Sequence, residues 1–360
     1  MKYLSEVRGR SGTVARVVAY SQAANSGTKL ITFEYEAYRG ILAELNTHCM
    51  LPKNAESSRA VPIKKRIEAI RNTPYVPIVF GSNKAGMQAG EEIDTLVKVF
   101  NPEYDPELGD DGYRTKEVAW KVSANRIADI MQAWEDAGYH KQIVNRIGEA
   151  FTTVKGVLTA TEWDNFWHLR RDEMADPAIK ELADCMWKAK KEVEDNGLIE
   201  ILQAGEWHTP YVEHRRSSNT GELMYTIGIE KLSDINAPHI LNISTGELQK
   251  ILTLEEALKI SSVACGQVSF RKLDTSEETV ERVWDRLMGG AIIHASVTQH
   301  QGTPMSIPVY VEQVDSWEGL FNEDGITHID KNYQKWSAQF KHWIMFRKTI
   351  PNEACWNYEE

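Results

Sequence analysis

Thr47-His48-Cys49-Met50-Leu51-Pro52-Lys53-Asn54-Ala55-Glu56-Ser57-Ser58-Arg59-Ala60 is the stretch on which the reading of this protein turns. It gathers a histidine, a lysine, an asparagine, two serines and an arginine into one short polar segment. Such a segment can offer hydrogen-bond donors and positive charge to a phosphate. Taken alone, a solvated surface loop is the plainer reading. Pro52 and Pro62 bracket residues 52–59 as a loop, because proline lacks the N–H that helix and sheet interiors need.

Upstream, Ile31-Thr32-Phe33-Glu34-Tyr35 alternates β-branched, aromatic and polar residues, which predicts a strand over 30–38. Val14, Ala15, Val17 and Val18 predict another over 13–19, and Asn25-Ser26-Gly27 supplies turn chemistry between the two. Ile41, Leu42 and Leu45 recur at helical spacing, so a helix is expected over 40–48. Downstream, helices are expected over 63–75, 115–138 and 142–147, with a Gly- and Pro-marked loop at 76–90. Further helices are expected over 158–175 and 177–196, Pro177 opening the second. Residues 210–250 read as loop and strand. Thr253 with Glu256 three positions on is a capping-box signature for a helix over 254–263, and 276–289 reads as one more. Strands and helices in separate runs indicate an α+β fold.

Composition narrows the function classes. Hydrophobic residues at 42% and charged residues at 26% are globular values, and 360 residues can bury a sizeable core. The net charge of -11 argues against duplex nucleic acid as a partner, since such proteins carry a basic face. It leaves room for a mononucleotide, which needs only a few well-placed arginines. Cys49, Cys185, Cys265 and Cys355 form no CxxC pair, so neither a disulfide framework nor a structural zinc is expected. The start of the sequence lacks the apolar run of a secretory leader, and no stretch is long and apolar enough to span a membrane. The cytoplasm is the expected compartment.

The opening segment resembles the signature of flavin-dependent thymidylate synthases, Arg-His-Arg-x-x-Ser-x-Asn-Glu-x-Ser-x-Arg-Tyr, through His48, Asn54, Ser57 and Arg59. Ser57-Ser58-Arg59-Ala60-Val61-Pro62 is close to the version in longer, phage-type members. His140-Lys141-Gln142-Ile143-Val144-Asn145-Arg146 resembles the family helix whose arginine binds the nucleotide phosphate. Thr161-Glu162-Trp163-Asp164-Asn165-Phe166-Trp167-His168-Leu169-Arg170 resembles its Asn-x-x-x-x-Arg segment. A third block comes late. Val263-Ala264-Cys265-Gly266-Gln267-Val268-Ser269-Phe270 looks like the family's Ala-Arg-Val-Ser-Phe/Tyr strand, and His294-Ala295-Ser296-Val297-Thr298-Gln299-His300 like its His-x-Ser/Thr-Pro-Phe-Glu-His element. In the usual family both precede the signature; here they follow it, the order a circular permutation gives.

The resemblance implies an antiparallel or mixed sheet flanked by long helices, in one domain over 1–360. Its nucleotide-binding part would occupy 1–200, and its flavin-binding strand and loop 250–310. It implies FAD as cofactor, with NADPH and methylenetetrahydrofolate as co-substrates. The substrate would be a pyrimidine deoxynucleotide monophosphate, methylated at C5, most simply dUMP to dTMP. It implies a homotetramer, in the host cytoplasm for a phage-encoded member. Arg170 would polarise the pyrimidine, with Ser57 beside the base; these are the expected catalytic residues. Flavin contacts fall on His48, Cys49, Asn54, Asn165, Ser269, His294, Ser296 and Gln299. Nucleotide contacts fall on Glu44, Ser57, Arg59, Gln142, Arg146 and Arg170.

Departures from the pattern bear on activity. Thr47 and Cys49 stand where the signature has its outer arginines; Pro52 replaces a serine and Ala55 a glutamate. Thr298 and Gln299 replace the usual phenylalanine and glutamate. Hydroxymethylation of dUMP or dCMP, and an inert nucleotide-binding relative, are the alternatives these changes leave open. Gly205-Glu206-Trp207-His208-Thr209-Pro210-Tyr211 resembles phage-type members without suggesting a role. Glu206, His208 and His214 could form a metal trio, but loop residues with ordinary partners are the plainer reading, and no metal is expected.

Overall fold

A computed structural model describes residues 3–99, 112–228, 238–242, 245–268, 273–306, 324–330 and 334–355. The strands β1 (Ser5–Arg8), β2 (Val14–Ala23) and β3 (Lys29–Tyr38) run antiparallel in succession. A short helix α1 (Leu42–Asn46) leads to β4 (Lys53–Ala55) and α2 (Ile63–Asn72). A two-stranded ribbon of β5 (Val97–Lys98) and β6 (Tyr113–Arg114) precedes α3 (Lys116–Asp136) and α4 (Lys141–Ile147). Then come β7 (Thr153–Ala160), α5 (Asp164–Arg170), α6 (Pro177–Asp195) and β8 (Glu200–Leu202).

These strands assemble one sheet in the order β1-β2-β3-β7-β4, with β8 parallel on β2. The late strand β7 slots between β3 and β4, pairing Thr32 with Thr159 on one side and Asn54 with Val157 on the other. The signature segment is thereby stitched to the sheet edge. A second antiparallel sheet contains β9 (Glu213–Arg216), β10 (Leu223–Gly228), β11 (His239–Leu241) and β12 (Leu248–Leu252). The helices α7 (Leu254–Gln267) and α8 (Glu277–Met288) follow, then short pairings among β13 (Gly302–Pro304), β14 (His328–Ile329), β15 (Lys335–Ser337), β16 (Phe340–Lys341) and β17 (Trp343–Met345).

Both faces of the main sheet are covered. On one, Ile31, Phe33, Tyr35 and Leu158 meet Ile179, Leu182, Met186 and Val193 of α6 in the largest core. The helix presents this stripe because those residues recur every three or four positions. Asp176 accepts from the amides of Ala178 and Ile179, with Pro177 in the first turn, so α6 starts where the sequence predicts. The other face is also buried and mixes polar with apolar residues, carrying Ser21, Thr32, Glu34 and Thr159 beside Leu30 and Val157. A separate helical unit packs Ile67 and Ile70 of α2 against Ala124, Ala128 and Met131 of α3 and Val144 of α4. Gly148 closes it: a Cβ there would run into Ile70 and Met131, so no larger residue fits unmoved.

The α+β class stands, and the capping box on α7 is formed by Thr253 and Glu256 as read. Three elements are corrected. Residues 158–160 are not helical but end β7, an interior strand whose last five residues are all buried and so show no two-residue alternation to separate them from helix. The helix after it is only Asp164–Arg170. The loop at 52–59 contains the edge strand β4. The strand expected at 263–270 is contradicted through Gln267, because α7 continues that far with Val263, Ala264 and Cys265 fully buried. Ser269 lies outside the described residues.

Candidate active site

Three of the sequence blocks meet at the signature segment. From α5, the Nε of Arg170 donates to Nε2 of His48 at 2.8 Å. Its Nη2 donates to the Thr47 hydroxyl at 3.0 Å and to the Glu44 carbonyl at 3.3 Å. From α4, the amide of Asn145 donates to the carbonyls of Ser58 at 2.7 Å and Val61 at 2.8 Å. From the late block, Gln299 donates to the Lys53 carbonyl at 3.2 Å, while Asn54 donates to the Ser296 carbonyl at 3.3 Å. Residues separated by more than two hundred positions are thus brought to one segment.

Electrostatics sharpen the picture. His48 is buried, and burial together with the charges of Arg170 and Lys53 pushes its pKa down to about 4. It is neutral at pH 7 and accepts from Arg170, so its own proton sits on Nδ1. Phe166 packs edge-on against its ring at 5.1 Å. Lys53 donates to the carbonyls of Leu45 and His48, closing the end of α1 over the segment, and burial lowers its pKa. Glu56 is wholly buried between Arg39 and Arg66, a structural ion cluster rather than a ligand contact.

Arg59, Arg146 and Arg170 are different. Among the described residues, none of the three pairs with a carboxylate, although the protein carries a net charge of -11. Arg59 and Arg146 are exposed, and Arg170 is half-buried with Nη1 unengaged. Arg146 follows directly on Asn145, which holds the carbonyls flanking Arg59 and Ala60. Ser57 is exposed on the same segment, its hydroxyl accepting from the Arg59 amide. Glu44 contributes a buried Oε2 with no hydrogen-bond partner among the described residues. Such an atom requires a donor.

The remaining expected contacts are placed with less convergence. Asn165 is exposed in the first turn of α5, and Gln142 is exposed in the first turn of α4. His294 and Ser296 are exposed beside the buried Ala295. Cys49 is exposed, its thiol 3.7 Å from the Thr47 carbonyl. Glu206, His208 and His214 are each engaged with other partners: Glu206 pairs with Arg216, His208 with Ser21 and Thr32, and His214 with Thr209.

Sequence reasoning missed Asn145 and Lys53 as anchors of the segment. Asn145 was legible only as a polar residue on an otherwise apolar helical face, between Val144 and Ile147. A cleft of about 740 Å³ lies beside α2, lined by Arg8, Arg16, Lys65, Arg66 and Tyr75 among others. Arg8, Arg16 and Arg66 are countered there by Glu6, Glu34 and Glu56, and the cleft includes none of the expected site residues.

No family model matches the sequence, and no curated protein matches it. Among solved structures, two of a UMP/dUMP methylase, PolB from Streptomyces cacaoi, are similar to it at 15% sequence identity. The one bound with 5-Br dUMP has a TM-score of 0.35 and covers 52% of this chain and 93% of that one. The one bound with 5-Br UMP has a TM-score of 0.34 and covers 54% and 99%. The likeness is coarse and spans about half of the chain.

Proposed function

We propose that this protein binds a pyrimidine deoxynucleotide monophosphate at the signature segment and alkylates its C5 with a one-carbon unit. The observation that carries the proposal is the presence, around one segment of an acidic protein, of three arginines with no carboxylate partner among the described residues. Cations left unpaired in such a setting suit a dianionic phosphate and a ring carbonyl. Arg59 and Arg146 take the phosphate. Arg170 presents Nη1 to a pyrimidine carbonyl, where it stabilises the negative charge that develops as C5 becomes nucleophilic. His48 matters through its neutrality: as an acceptor it aims Arg170 without competing with the substrate for positive charge. Glu44, with its unpaired Oε2, takes an N–H of the ring.

On the same reading FAD is assigned to the polar side chains of Asn54, Asn165, His294, Ser296 and Gln299, supported by the hydrogen bonds that join Asn54 to the Ser296 carbonyl and Gln299 to the Lys53 carbonyl. They suit the carbonyls and ring nitrogens of a flavin. When bound, reduced FAD supplies the hydride and the relay of the one-carbon unit from methylenetetrahydrofolate, with NADPH as reductant. Assembly as a homotetramer belongs to the same reading. Thr47 and Cys49 remove positive charge from the flavin side, which favours water over hydride as the final reactant more than in the full signature. Hydroxymethylation of dUMP or dCMP is therefore the second reading.

Calorimetric titration of the FAD-loaded protein with dUMP and with dCMP tests the binding site. One of them is expected to bind, and Arg170→Ala to lose roughly tenfold or more in affinity, the worth of one charge-assisted contact. Wild-type affinity in that variant would remove Arg170 from the site.

A further inference from the structure

A continuous row of side-chain hydrogen bonds crosses the face of the main sheet opposite α6. Ser21 on β2 meets Nδ1 of His208 at 2.8 Å, and Nε2 of His208 meets the Thr32 hydroxyl on β3 at 2.8 Å. Thr32 meets the Thr159 hydroxyl on β7 at 2.8 Å, and Thr159 meets Nδ1 of His300 at 2.9 Å. All five residues are buried, none more than 1% exposed. Backbone hydrogen bonds at 2.8 and 3.3 Å also join His208 to Gly302, two residues past His300. The far end of the row touches the site's own segment. Thr159 donates its amide to the Pro52 carbonyl, and Gln299 holds the Lys53 carbonyl.

Burial drives the pKa of His208 well below its ordinary value and that of His300 to about 3. Both rings are therefore neutral, each with one N–H and one lone pair. Counting hydrogens then fixes the direction of the row. If Ser21 donates to His208, each member donates to the next, and one group is left over: an N–H on Nε2 of His300. If the row runs the other way, two are left over: the Ser21 hydroxyl hydrogen and the Nε2 lone pair of His300. Nε2 of His300 has no partner among the described residues, as either direction requires. Buried unmet groups are costly, so the direction with one unmet group prevails.

We propose that Ser21, His208, Thr32 and Thr159 are positioning residues that fix His300 in its Nε2–H tautomer, holding a neutral donor beneath Pro52 and Lys53 of the nucleotide-binding segment. This rests on the reading of that segment as the nucleotide site only for its functional meaning; the tautomer itself does not depend on ligand. The group His300 serves is a lone-pair acceptor, a carbonyl or water oxygen, and never a cation. The role also accounts for His208, which sits in a motif the nucleotide site leaves unused.

The full-length protein, labelled with 15N-histidine, tests this by long-range proton–nitrogen correlation NMR without nucleotide. His300 is expected to show a protonated Nε2 and a bare Nδ1, as is His208. Thr159→Val keeps the side-chain shape and removes the hydroxyl, leaving the tautomers of His300 with equal numbers of unmet groups. A measurable Nδ1–H population is expected there, and Thr159→Ser is expected to restore the single form. Ser21→Ala removes the head of the row, four hydrogen bonds away from His300, and is expected to release His300 in the same way. A purely structural role would leave the His300 tautomer untouched by Ser21→Ala, and that result overturns the proposal. So does an Nδ1–H tautomer of His300 in the wild type.

Discussion

His48 and Arg170 show how residue-scale electrostatics shape the candidate site. A histidine beside an arginine loses its own charge, and the arginine keeps its charge while giving up one donor to be aimed. The same burial acts across the molecule. His48, His214 and His342 are each held down to about 4, and His300 to about 3, by loss of water around the ring. In the unfolded chain these groups titrate near their ordinary value of 6.5. Between that value and about 4 the unfolded state therefore binds protons that the native state refuses, and stability falls as pH falls. Glu162 and Glu200, whose pKa values are raised by burial, oppose the trend but are fewer. Tm is expected to hold steady above pH 7 and to drop by several degrees on going to pH 5. A Tm that is flat or rises over that interval contradicts the assignment of these rings as neutral.

At the scale of elements, α4 is the least obvious contributor. It is short, yet Asn145 satisfies two loop carbonyls, those of Ser58 and Val61. Asn145→Leu is expected to cost about 1–3 kcal/mol and to speed amide hydrogen exchange across 56–62, while leaving α6 protected. Unchanged exchange in that segment would mean that α4 merely packs beside it. Much of this level was legible in the sequence. The strands β2 and β3, the long α3, the proline-started α6 and the capping box of α7 all carry local signals: alternation, a 3.6-residue period, or a named cap. The failures share a cause. β7 is buried on both faces and shows no alternation, so Val157-Leu158-Thr159-Ala160 carried no period to identify it. Residues 263–267 were assigned by likeness to a strand motif, against the helical spacing of Ala257, Ile260 and Ala264. Buried polar rows such as Thr32–Thr159 are set by register between distant strands, which local sequence does not encode.

For the whole molecule, the central fact is that segments from the first, middle and last thirds converge on residues 44–61. Arg170 comes from one side, Asn145 from another, and Ser296 and Gln299 from a third. The signature residues of the proposed site could be named from the sequence because they lie in one contiguous stretch, His48 to Arg59. Their anchors could not, because they sit far away in sequence. No described helix is long and apolar enough to cross a membrane. The measurement that reaches furthest is product analysis with isotope-labelled methylenetetrahydrofolate, using the FAD-loaded protein, NADPH, and dUMP or dCMP in turn. Mass spectrometry of the nucleotides is expected to find the labelled carbon on C5 of the pyrimidine, as a methyl group on the first reading and a hydroxymethyl group on the second. Nucleotides recovered without label in both cases, from protein that retains its flavin and binds its nucleotide, would contradict the proposed one-carbon chemistry.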